Sequence, residues 1–338
     1  MTKKDPFKLK NISVKLRNLG LPLLAWVGGC QAFLNPQPPA QNDRDVQSLM
    51  QSFRQYCWVT YTPSTFDPTP NPPHWPTQAE VESDLRTLRD FGVKGLVTYR
   101  ANYFDRSQPQ VLLNLPELAR QQGFEGLVLG VWNLESAAEQ EAVKAFQGDP
   151  LVLGWVVGNE GLGKRYSWNT LATTIATLQA QTQKPVATSE EFKDYLLDDR
   201  LRQVGDWLFP NAHPYFSPVK EPLAAAQWTE TWFKRLQALS DRPLVFKEVG
   251  LPTAGDPAVS EAAQAQYYQA LSQSTVQFIF FTAFDLPWKR STGQAVLNAA
   301  DSASVLNPEP YWGLFHNDRS PKTSASILQG ERCSVVRE

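Results

Sequence analysis

Eight short apolar runs follow one another between Tyr56 and the C-terminal region, and a helical pattern separates each run from the next. The runs lie at Cys57–Tyr61, Gly95–Tyr99, Gly126–Val131, Val152–Val157, Pro185–Thr188, Trp207–Asn211, Leu244–Lys247 and Phe278–Ala283. They are continuous rather than alternating, which is typical of parallel strands buried on both faces. Eight βα units in about 290 residues predict an α/β protein with a (β/α)8 TIM barrel. The alternative, a doubly wound open sheet, favours a Gly-rich turn after its first strand, but the turn after Tyr61 is rich in proline.

Helix start signals occur between these runs. Thr77 and Glu80 have the spacing of a capping box, and Gly92 follows the apolar pattern as a stop signal. Ser136 and Ser260 precede two further helical patterns. These signals support alternating strands and helices.

The overall charge is close to neutral. The chain has 338 residues, with 32 Lys and Arg against 34 Asp and Glu. A nucleic-acid-binding protein would carry a basic excess, so we expect no nucleic-acid partner. Three cysteines are too few for a disulfide scaffold. The 11 tryptophans are numerous enough to suggest a stacking surface for sugars or bases, although core packing is the alternative for each.

The N-terminal region has the pattern of an export signal. A basic stretch precedes a short apolar segment that ends at Cys30, and this segment is too short to span a membrane. Residues 1–29 are therefore predicted to be a signal peptide that resembles a bacterial lipoprotein signal, with lipidation of Cys30. The alternative is an ordinary signal peptide with an accidental cysteine. In either case we expect export, with a membrane anchor facing the periplasm or the outside if Cys30 is modified.

The predicted domain layout follows from this signal. Residues 30–48 are rich in proline and glutamine and are predicted to be a tether, residues 49–330 the catalytic barrel and residues 331–338 a tail. Cys57 and Cys333 could pair in an oxidising compartment or remain free thiols.

The carboxyl ends of the predicted strands carry mainly carboxylates and aromatic rings. Chemistry in a TIM barrel takes place at this end of the strands. Rings can stack on the apolar faces of sugars and carboxylates can bind hydroxyl groups, so this rim fits an uncharged sugar better than a phosphate. Glu160 follows the fourth strand, and Glu248 follows the seventh, three βα units later. Glycoside hydrolysis needs two carboxyl groups beside the scissile bond, which makes this pair the catalytic candidate.

Six motifs around these strands are similar to those of glycoside hydrolase family 17, microbial branch. VVGNEGLGKR resembles the acid/base motif of the family, and VFKEVGLPT resembles its nucleophile motif. FTAFDLPWK, YWGLF, LVLGVW and PVATSEE match further segments in the same order, and the resemblance covers roughly residues 50–330. The family contains retaining β-1,3-glucanases and related glucosyltransferases on a clan A barrel. The resemblance therefore implies hydrolysis of a β-1,3-glucan-like chain by double displacement. A transglucosylase on the same barrel and a non-catalytic glucan-binding lipoprotein are the alternatives.

The resemblance also implies roles for individual residues. Glu160 would be the general acid/base and Glu248 the nucleophile, while Asn159 would bind the sugar 2-hydroxyl. Tyr215 or His213 would hold the ionised oxygen of the nucleophile. The remaining binding residues would be the floor residue Trp288 with Lys289 beside it, and the wall residues Tyr99, Trp132 and Glu190.

Two positions depart from the family pattern. Leu286 stands where an acidic residue is usual, and Leu251 replaces the usual tryptophan of the nucleophile motif. One sugar contact and one wall of the acceptor side are therefore expected to differ. The three histidines show no metal-binding spacing, so no metal or other cofactor is predicted, and the expected partner is a β-glucan bound by a monomer.

Overall fold

The computed structural model describes residues 41–291 and 306–329. The predicted signal peptide, Cys30, Cys333 and the predicted tail fall outside these residues. Among the helices of residues 41–291 and 306–329, none combines the length and the hydropathy of a membrane-spanning segment. Cys57 is disulfide-bonded, which answers the choice between a paired and a free thiol at this position.

A parallel sheet of seven strands forms the centre of the domain. Its strands stand in the order β7-β6-β5-β2-β1-β9-β8, and β3 and β4 form a separate antiparallel hairpin after β2. The strands are β1 (Cys57–Tyr61), β2 (Val93–Thr98), β3 (Phe104–Asp105), β4 (Gln108–Leu112), β5 (Gly126–Val131), β6 (Val152–Val157), β7 (Val186–Thr188), β8 (Phe246–Val249) and β9 (Phe278–Phe280). This is the mixed α/β class that the apolar runs predict, although no pattern in the sequence predicts the hairpin.

Helices alternate with the strands of this sheet. They are α1 (Gln41–Gln55), α2 (Gln78–Asp90), α3 (Leu115–Gln121), α4 (Ala137–Phe146), α5 (Trp168–Thr182), α6 (Phe192–Leu197), α7 (Asp199–Gln203), α8 (Pro222–Gln237) and α9 (Glu261–Leu271). The capping box is present at the start of α2, where Thr77 and Glu80 satisfy each other's backbone groups. Ser136 and Ser260 cap α4 and α9 through their hydroxyl groups, as predicted.

The predicted sixth strand makes isolated bridges rather than an extended ladder. Leu208 pairs with Leu244, and Asn211 pairs with both Glu191 and Glu248. The segment 207–211 therefore has bridges both to Glu191, three residues after the end of β7, and to Glu248 in β8. The irregular pairing has a local cause, because Pro210 has no amide hydrogen to donate to a ladder.

One compact cluster of buried side chains lies against helix α1. Eight strand-like segments contribute nine residues to it, two of them from the segment 207–211: Trp58, Val97, Val128, Val156, Ala187, Trp207, Phe209, Val245 and Ile279. Helix α1 contributes Val46, Leu49, Met50 and Phe53, which recur at helical spacing. The prediction of a tether over 30–48 is therefore wrong for residues 41–48, because the apolar stripe of α1 begins at Val46 and packs into the core.

Candidate active site

Glu160 and Glu248 come together at the carboxyl ends of the strands. Glu160 lies three residues after β6, and Glu248 lies within β8. One carboxylate oxygen of each and one ring nitrogen of His213 all lie within 4.8 Å of one another. Two carboxyl groups at this separation can act on the same bond.

The backbone turns sharply to present Glu160. Gly158 has φ +71° and Glu160 has φ +49°, a conformation that is uncommon for a residue with a side chain. A Cβ at Gly158 would collide with the Tyr166 hydroxyl, so the turn requires glycine at this position. The Glu160 amide donates to the Ser189 carbonyl at 2.9 Å, which fixes the turn against the residue after β7. Strained backbone of this kind is often found at functional sites.

The carboxyl group of Glu160 is set up to hold a proton. Burial raises its pKa, and the negative charge of Glu248 raises it further. His213 and a hydrogen bond of 2.7 Å from Asn211 Nδ2 act in the opposite direction without cancelling the rise. Glu160 therefore has the electrostatics of a general acid.

Glu248 has the opposite electrostatics. Burial by itself would raise its pKa, but the Lys247 ammonium and His213 hold it well below the usual range of a glutamate. Its Oε1 accepts hydrogen bonds from Lys247 Nζ at 2.8 Å and from the Tyr99 hydroxyl at 2.9 Å. Its Oε2 faces His213 Nε2 at 3.2 Å. Glu248 is thus held as a carboxylate, the form that a nucleophile needs.

Asn159 is oriented by two donors. Its Oδ1 accepts from Lys247 Nζ at 2.5 Å and from Asn211 Nδ2 at 3.0 Å. Asn211 is itself held through its Oδ1 by the Ser189 hydroxyl at 2.8 Å. The Nδ2 group of Asn159 is therefore the donor that remains for a ligand.

Lys247 and Asn211 belong to this site but were not among the predicted site residues. Lys247 stands next to Glu248 in an otherwise apolar run, and a charged residue in a buried strand is the signal that could have identified it. The spacing of Glu160, His213 and Glu248 could also suit a cation, but the Lys247 ammonium already supplies positive charge at Glu248.

This geometry agrees with comparisons with known proteins. Residues 59–313 match the model of the BtgE/BtgC glycoside hydrolase domain. The chain belongs to this family. Its membership confirms the family resemblance seen in the motifs.

Relatives of this BtgE/BtgC-type domain include fungal proteins. The chain is 26% identical over 216 residues to a probable beta-glucosidase btgE of Aspergillus flavus, covering 59% of this chain and about a third (34%) of that relative's length. It is 28% identical over 278 residues to a glucan 1,3-beta-glucosidase of Arthroderma benhamiae, covering 73% of this chain and 84% of that relative.

A solved structure supports the fold. The glycoside hydrolase family 17 beta-1,3-glucanosyltransferase of Rhizomucor miehei superposes with a TM-score of 0.60 and 21% identity, over 81% of this chain and 97% of that one.

Two predicted binding residues lie elsewhere in the BtgE/BtgC-type domain. The hydroxyl of Tyr215 donates to Asp256 at 2.7 Å, so His213 rather than Tyr215 contacts Glu248. Glu190 is 2% exposed and accepts a hydrogen bond of 2.6 Å from Tyr166, so its carboxylate holds the loop after β6 instead of forming a sugar-binding wall. Tyr215 and Glu190 both find their hydrogen-bond partners inside the protein, which motif spacing does not reveal.

The wall residues Tyr99 and Trp132 do flank the site. Tyr99 reaches Glu248 through its hydroxyl, and its ring meets Trp132 edge-on at 6.3 Å. The guanidinium of Arg165 lies 3.8 Å from the centre of the Trp132 ring, and it also donates to the Asn159 carbonyl. One face of Trp132 is therefore covered by a cation that the prediction did not include.

The predicted floor residues Trp288 and Lys289 follow the last strand of the sheet, β9. Trp288 is half-buried, and its Nε1 is buried without a hydrogen-bond partner among the described residues. Lys289 Nζ lies 5.0 Å from the centre of the Phe281 ring, which in turn lies 4.9 Å from His213. Leu251 and Leu286, the two departures from the family pattern, are both buried.

Proposed function

We propose that this chain is a retaining glycoside hydrolase that acts on β-1,3-glucan-like chains by double displacement. The observation that carries the proposal is the carboxyl pair, whose nearest oxygens lie within 4.8 Å. A separation of about 5–5.5 Å is typical of retaining enzymes, whereas inverting enzymes need about 6.5–9.5 Å to admit a water molecule. The opposite pKa directions of Glu160 and Glu248 fit an acid and a nucleophile.

In the first step, Glu248 attacks the anomeric carbon while Glu160 gives its proton to the leaving oxygen. The glycosidic bond breaks, and its electron pair remains on that oxygen. In the second step, Glu160 takes a proton from a water molecule, whose oxygen attacks the same carbon. The ester bond then breaks and its electron pair returns to Glu248. Asn159 Nδ2 donates to the sugar 2-hydroxyl, a contact that strengthens in the transition state.

The substrate class rests on the relatives and on the rim. One relative is named a glucan 1,3-beta-glucosidase and covers most of this chain. The uncharged rings of Tyr99 and Trp132 beside the carboxylates suit a neutral sugar. Trp288, Lys289 and His213 complete the proposed binding surface.

Closure of the sheet into a full (β/α)8 barrel is part of this proposal. The bridges of Asn211 to Glu191 and Glu248 support it, because they connect the two edges of the seven-stranded sheet. Two backbone hydrogen bonds of 2.9 Å connect the same segments: the Asn211 amide donates to the Glu190 carbonyl, and the Lys247 amide donates to the Pro210 carbonyl. The buried cluster to which all eight strand-like segments contribute also fits a filled barrel interior.

Export and anchoring are proposed from the N-terminal sequence. The basic stretch, the apolar segment and Cys30 support a lipoprotein signal in residues 1–29. Intact mass of membrane-extracted protein tests it, since lipidation adds acyl mass to Cys30 and Cys30→Ser removes both the mass and the membrane association. Unmodified soluble protein would favour ordinary secretion. Sedimentation of the same sample tests the proposed monomer.

The proposed reaction is tested by product analysis on laminari-oligosaccharides. Proton NMR of the first product should show the β-anomer, and Glu248→Ala should be inactive. With an aryl β-glucoside, whose leaving group departs without a proton, added azide should rescue Glu248→Ala with an α-glycosyl azide and Glu160→Ala with a β-glycosyl azide, because azide attacks from the side that the removed carboxylate vacates. Glu230→Gln, which removes an ion pair with Lys234 within α8, is the matched control and should be as active as the wild type. An α-anomer from the wild type would contradict the proposal.

The same experiment separates the alternatives. Products longer than the substrate would identify a transglucosylase, in which a sugar hydroxyl replaces water in the second step. Binding without any cleavage would identify a non-catalytic glucan-binding protein.

A further inference from the structure

The side chain of Lys247 is buried between the two candidate catalytic motifs. The residue is 0% exposed, and its ammonium contacts one atom from each motif. It donates to Asn159 Oδ1 at 2.5 Å and to Glu248 Oε1 at 2.8 Å. The Tyr99 ring lies 4.3 Å from the same nitrogen. These contacts hold the buried ammonium of Lys247 in one place, because a buried charge is costly without its partners.

Three acidic residues lie close enough to act on the charge of Lys247. The pKa of Lys247 is lowered because burial outweighs the opposite effects of Glu248, Glu160 and Glu190, of which Glu248 has the largest. His213 faces Glu248 from the other side, and the Tyr99 hydroxyl donates to the same oxygen as Lys247. Lys247 is the cation that donates directly to the Glu248 carboxylate.

The two oxygens of Glu248 are held unequally. Oε1 accepts two short hydrogen bonds, from Lys247 and from Tyr99, whereas Oε2 has the 3.2 Å contact to His213. An oxygen with two donors at 2.8–2.9 Å has little lone-pair density left for attack. Oε2 is consequently the atom that can form a bond to the anomeric carbon.

We propose that Lys247 is a positioning residue that keeps Glu248 ionised, leaves Oε2 as the attacking oxygen, and drives release of the sugar from the covalent intermediate. The inference rests on the proposed function and adds to it a residue and a step.

The charge balance of the reaction explains the effect on release. When Oε2 bonds to the anomeric carbon, Glu248 becomes a neutral ester, and the negative charge moves to Glu160, which has given its proton to the leaving oxygen. The Lys247 ammonium then no longer donates to a carboxylate at Glu248. When water attacks the anomeric carbon, the ester bond breaks and its electron pair returns to Glu248, which restores the pair. Lys247 therefore stabilises the leaving carboxylate in the second step, because a preorganised charge acts most strongly where charge develops.

The test uses Lys247→Met, which keeps the length of the side chain and removes its charge. With an aryl β-glucoside that has a good leaving group, the rate constant for release should fall about 10²-fold, the typical cost of removing one preorganised donor. The steady-state fraction of glycosyl-enzyme, read by intact mass after acid quench, should rise above that of the wild type. KM should fall together with kcat, and the acid limb of kcat/KM should move to higher pH.

Two further variants test whether the effect comes from the charge of Lys247 and not from a loss of packing or stability. Lys247→Gln keeps a donor for Asn159 without the charge, so it should also accumulate the intermediate. Lys322→Met removes another buried lysine, which donates to Asp285 at 2.6 Å, and should lower stability without changing the intermediate fraction or the acid limb. Circular dichroism and urea unfolding establish that each variant is folded.

Several results would overturn the inference. One is a folded Lys247→Met with the wild-type intermediate fraction and acid limb. If neither Lys247 variant folds, the pH dependence of kcat/KM of the wild type tests the inference instead. An acid limb at or above about pH 4.3, the usual pKa of glutamate, would show that Glu248 is not held ionised. Failure of the wild type itself to hydrolyse glucan or to form a glycosyl-enzyme would instead contradict the proposed function.

Discussion

The hydroxyl of Tyr166 donates a hydrogen bond of 2.6 Å to Oε1 of Glu190, and this contact joins the loop after β6 to the end of β7. The same hydroxyl accepts a hydrogen bond of 3.2 Å from the Gly161 amide, and the Glu190 carboxylate accepts one of 3.3 Å from the Leu162 amide. The loop held in this way carries Glu160. The contact therefore positions the candidate acid without touching a substrate.

Tyr166→Phe removes this hydroxyl. We expect kcat to fall about tenfold, because losing a hydrogen bond to a charged group costs about 1.5–3 kcal/mol and the loop gains freedom. Steady-state kinetics and urea unfolding measure the two effects. Tyr267→Phe is the control, since its hydroxyl is equally buried and bonds to Thr229 away from the site. Equal kcat values for the two variants would contradict the positioning role.

The pH profile should be governed by Glu160 and Glu248. Burial and the neighbouring Glu248 raise the pKa of Glu160, so the protonated acid is lost only as pH rises through that raised value. The pKa of Glu248 is lowered, against the effect of burial, by Lys247 and His213, so the nucleophile stays ionised until strongly acidic pH. Measured kcat/KM should therefore have its optimum on the acidic side of neutrality. Glu160→Gln should lose the basic limb on substrates with good leaving groups, and a retained limb would argue against Glu160 as the acid.

His213 and Tyr215 allow a direct comparison, because only His213 contacts Glu248. His213→Ala should lower kcat about 10–100-fold through loss of a donor to the nucleophile. Tyr215→Phe breaks the hydrogen bond to Asp256 and should reduce stability by about 1–3 kcal/mol while leaving kcat within about twofold. The reverse order of kcat effects would place Tyr215 at the nucleophile.

Helix α1 should contribute to stability. Phe53 is buried, and its ring contacts Trp58 at 4.7 Å and Phe209 at 5.9 Å. Phe53→Ala should lower the free energy of unfolding by about 3–5 kcal/mol, because it opens a cavity in the core. Gln51→Ala on the exposed face of the same helix is the control. Urea denaturation with no difference between the two variants would restore the tether interpretation.

Asp84 should support the fold away from the carboxyl pair. It is 0% exposed and accepts from Ser64, from the Tyr61 hydroxyl at 3.1 Å and from Arg319 at 2.7 Å. Asp84→Ala leaves Arg319 without this partner and should cost about 3–5 kcal/mol, the usual effect of breaking a buried ion pair. Thermal or urea unfolding measures the loss. The specific activity of the folded fraction should be unchanged, and a selective loss of activity would indicate a role in the site.

Much of the fold was predictable because its signals are local. The apolar runs of β1, β5 and β6 have the bounds expected from the sequence, and the capping signals at Thr77 and Ser260 start helices. The hairpin of β3 and β4 was not predicted, since its strands are short and β4 is mostly exposed. Helix α1 was also not predicted, because the polar residues at its start resemble a linker. Its apolar stripe is stabilised only by packing against the core, which depends on the tertiary structure.

The sequence by itself determined which residues are available for chemistry, namely the GNE and KE motifs at two strand ends, and the family to which they belong. Only the tertiary structure decided which polar atoms meet: His213 rather than Tyr215 faces Glu248, Glu190 anchors Tyr166, and Lys247 joins Asn159 to Glu248. Strand and helix signals arise between neighbours in the chain, whereas these contacts join residues up to 88 positions apart. Their formation depends on the packing of separate strands and on the cost of leaving a buried charge without a partner.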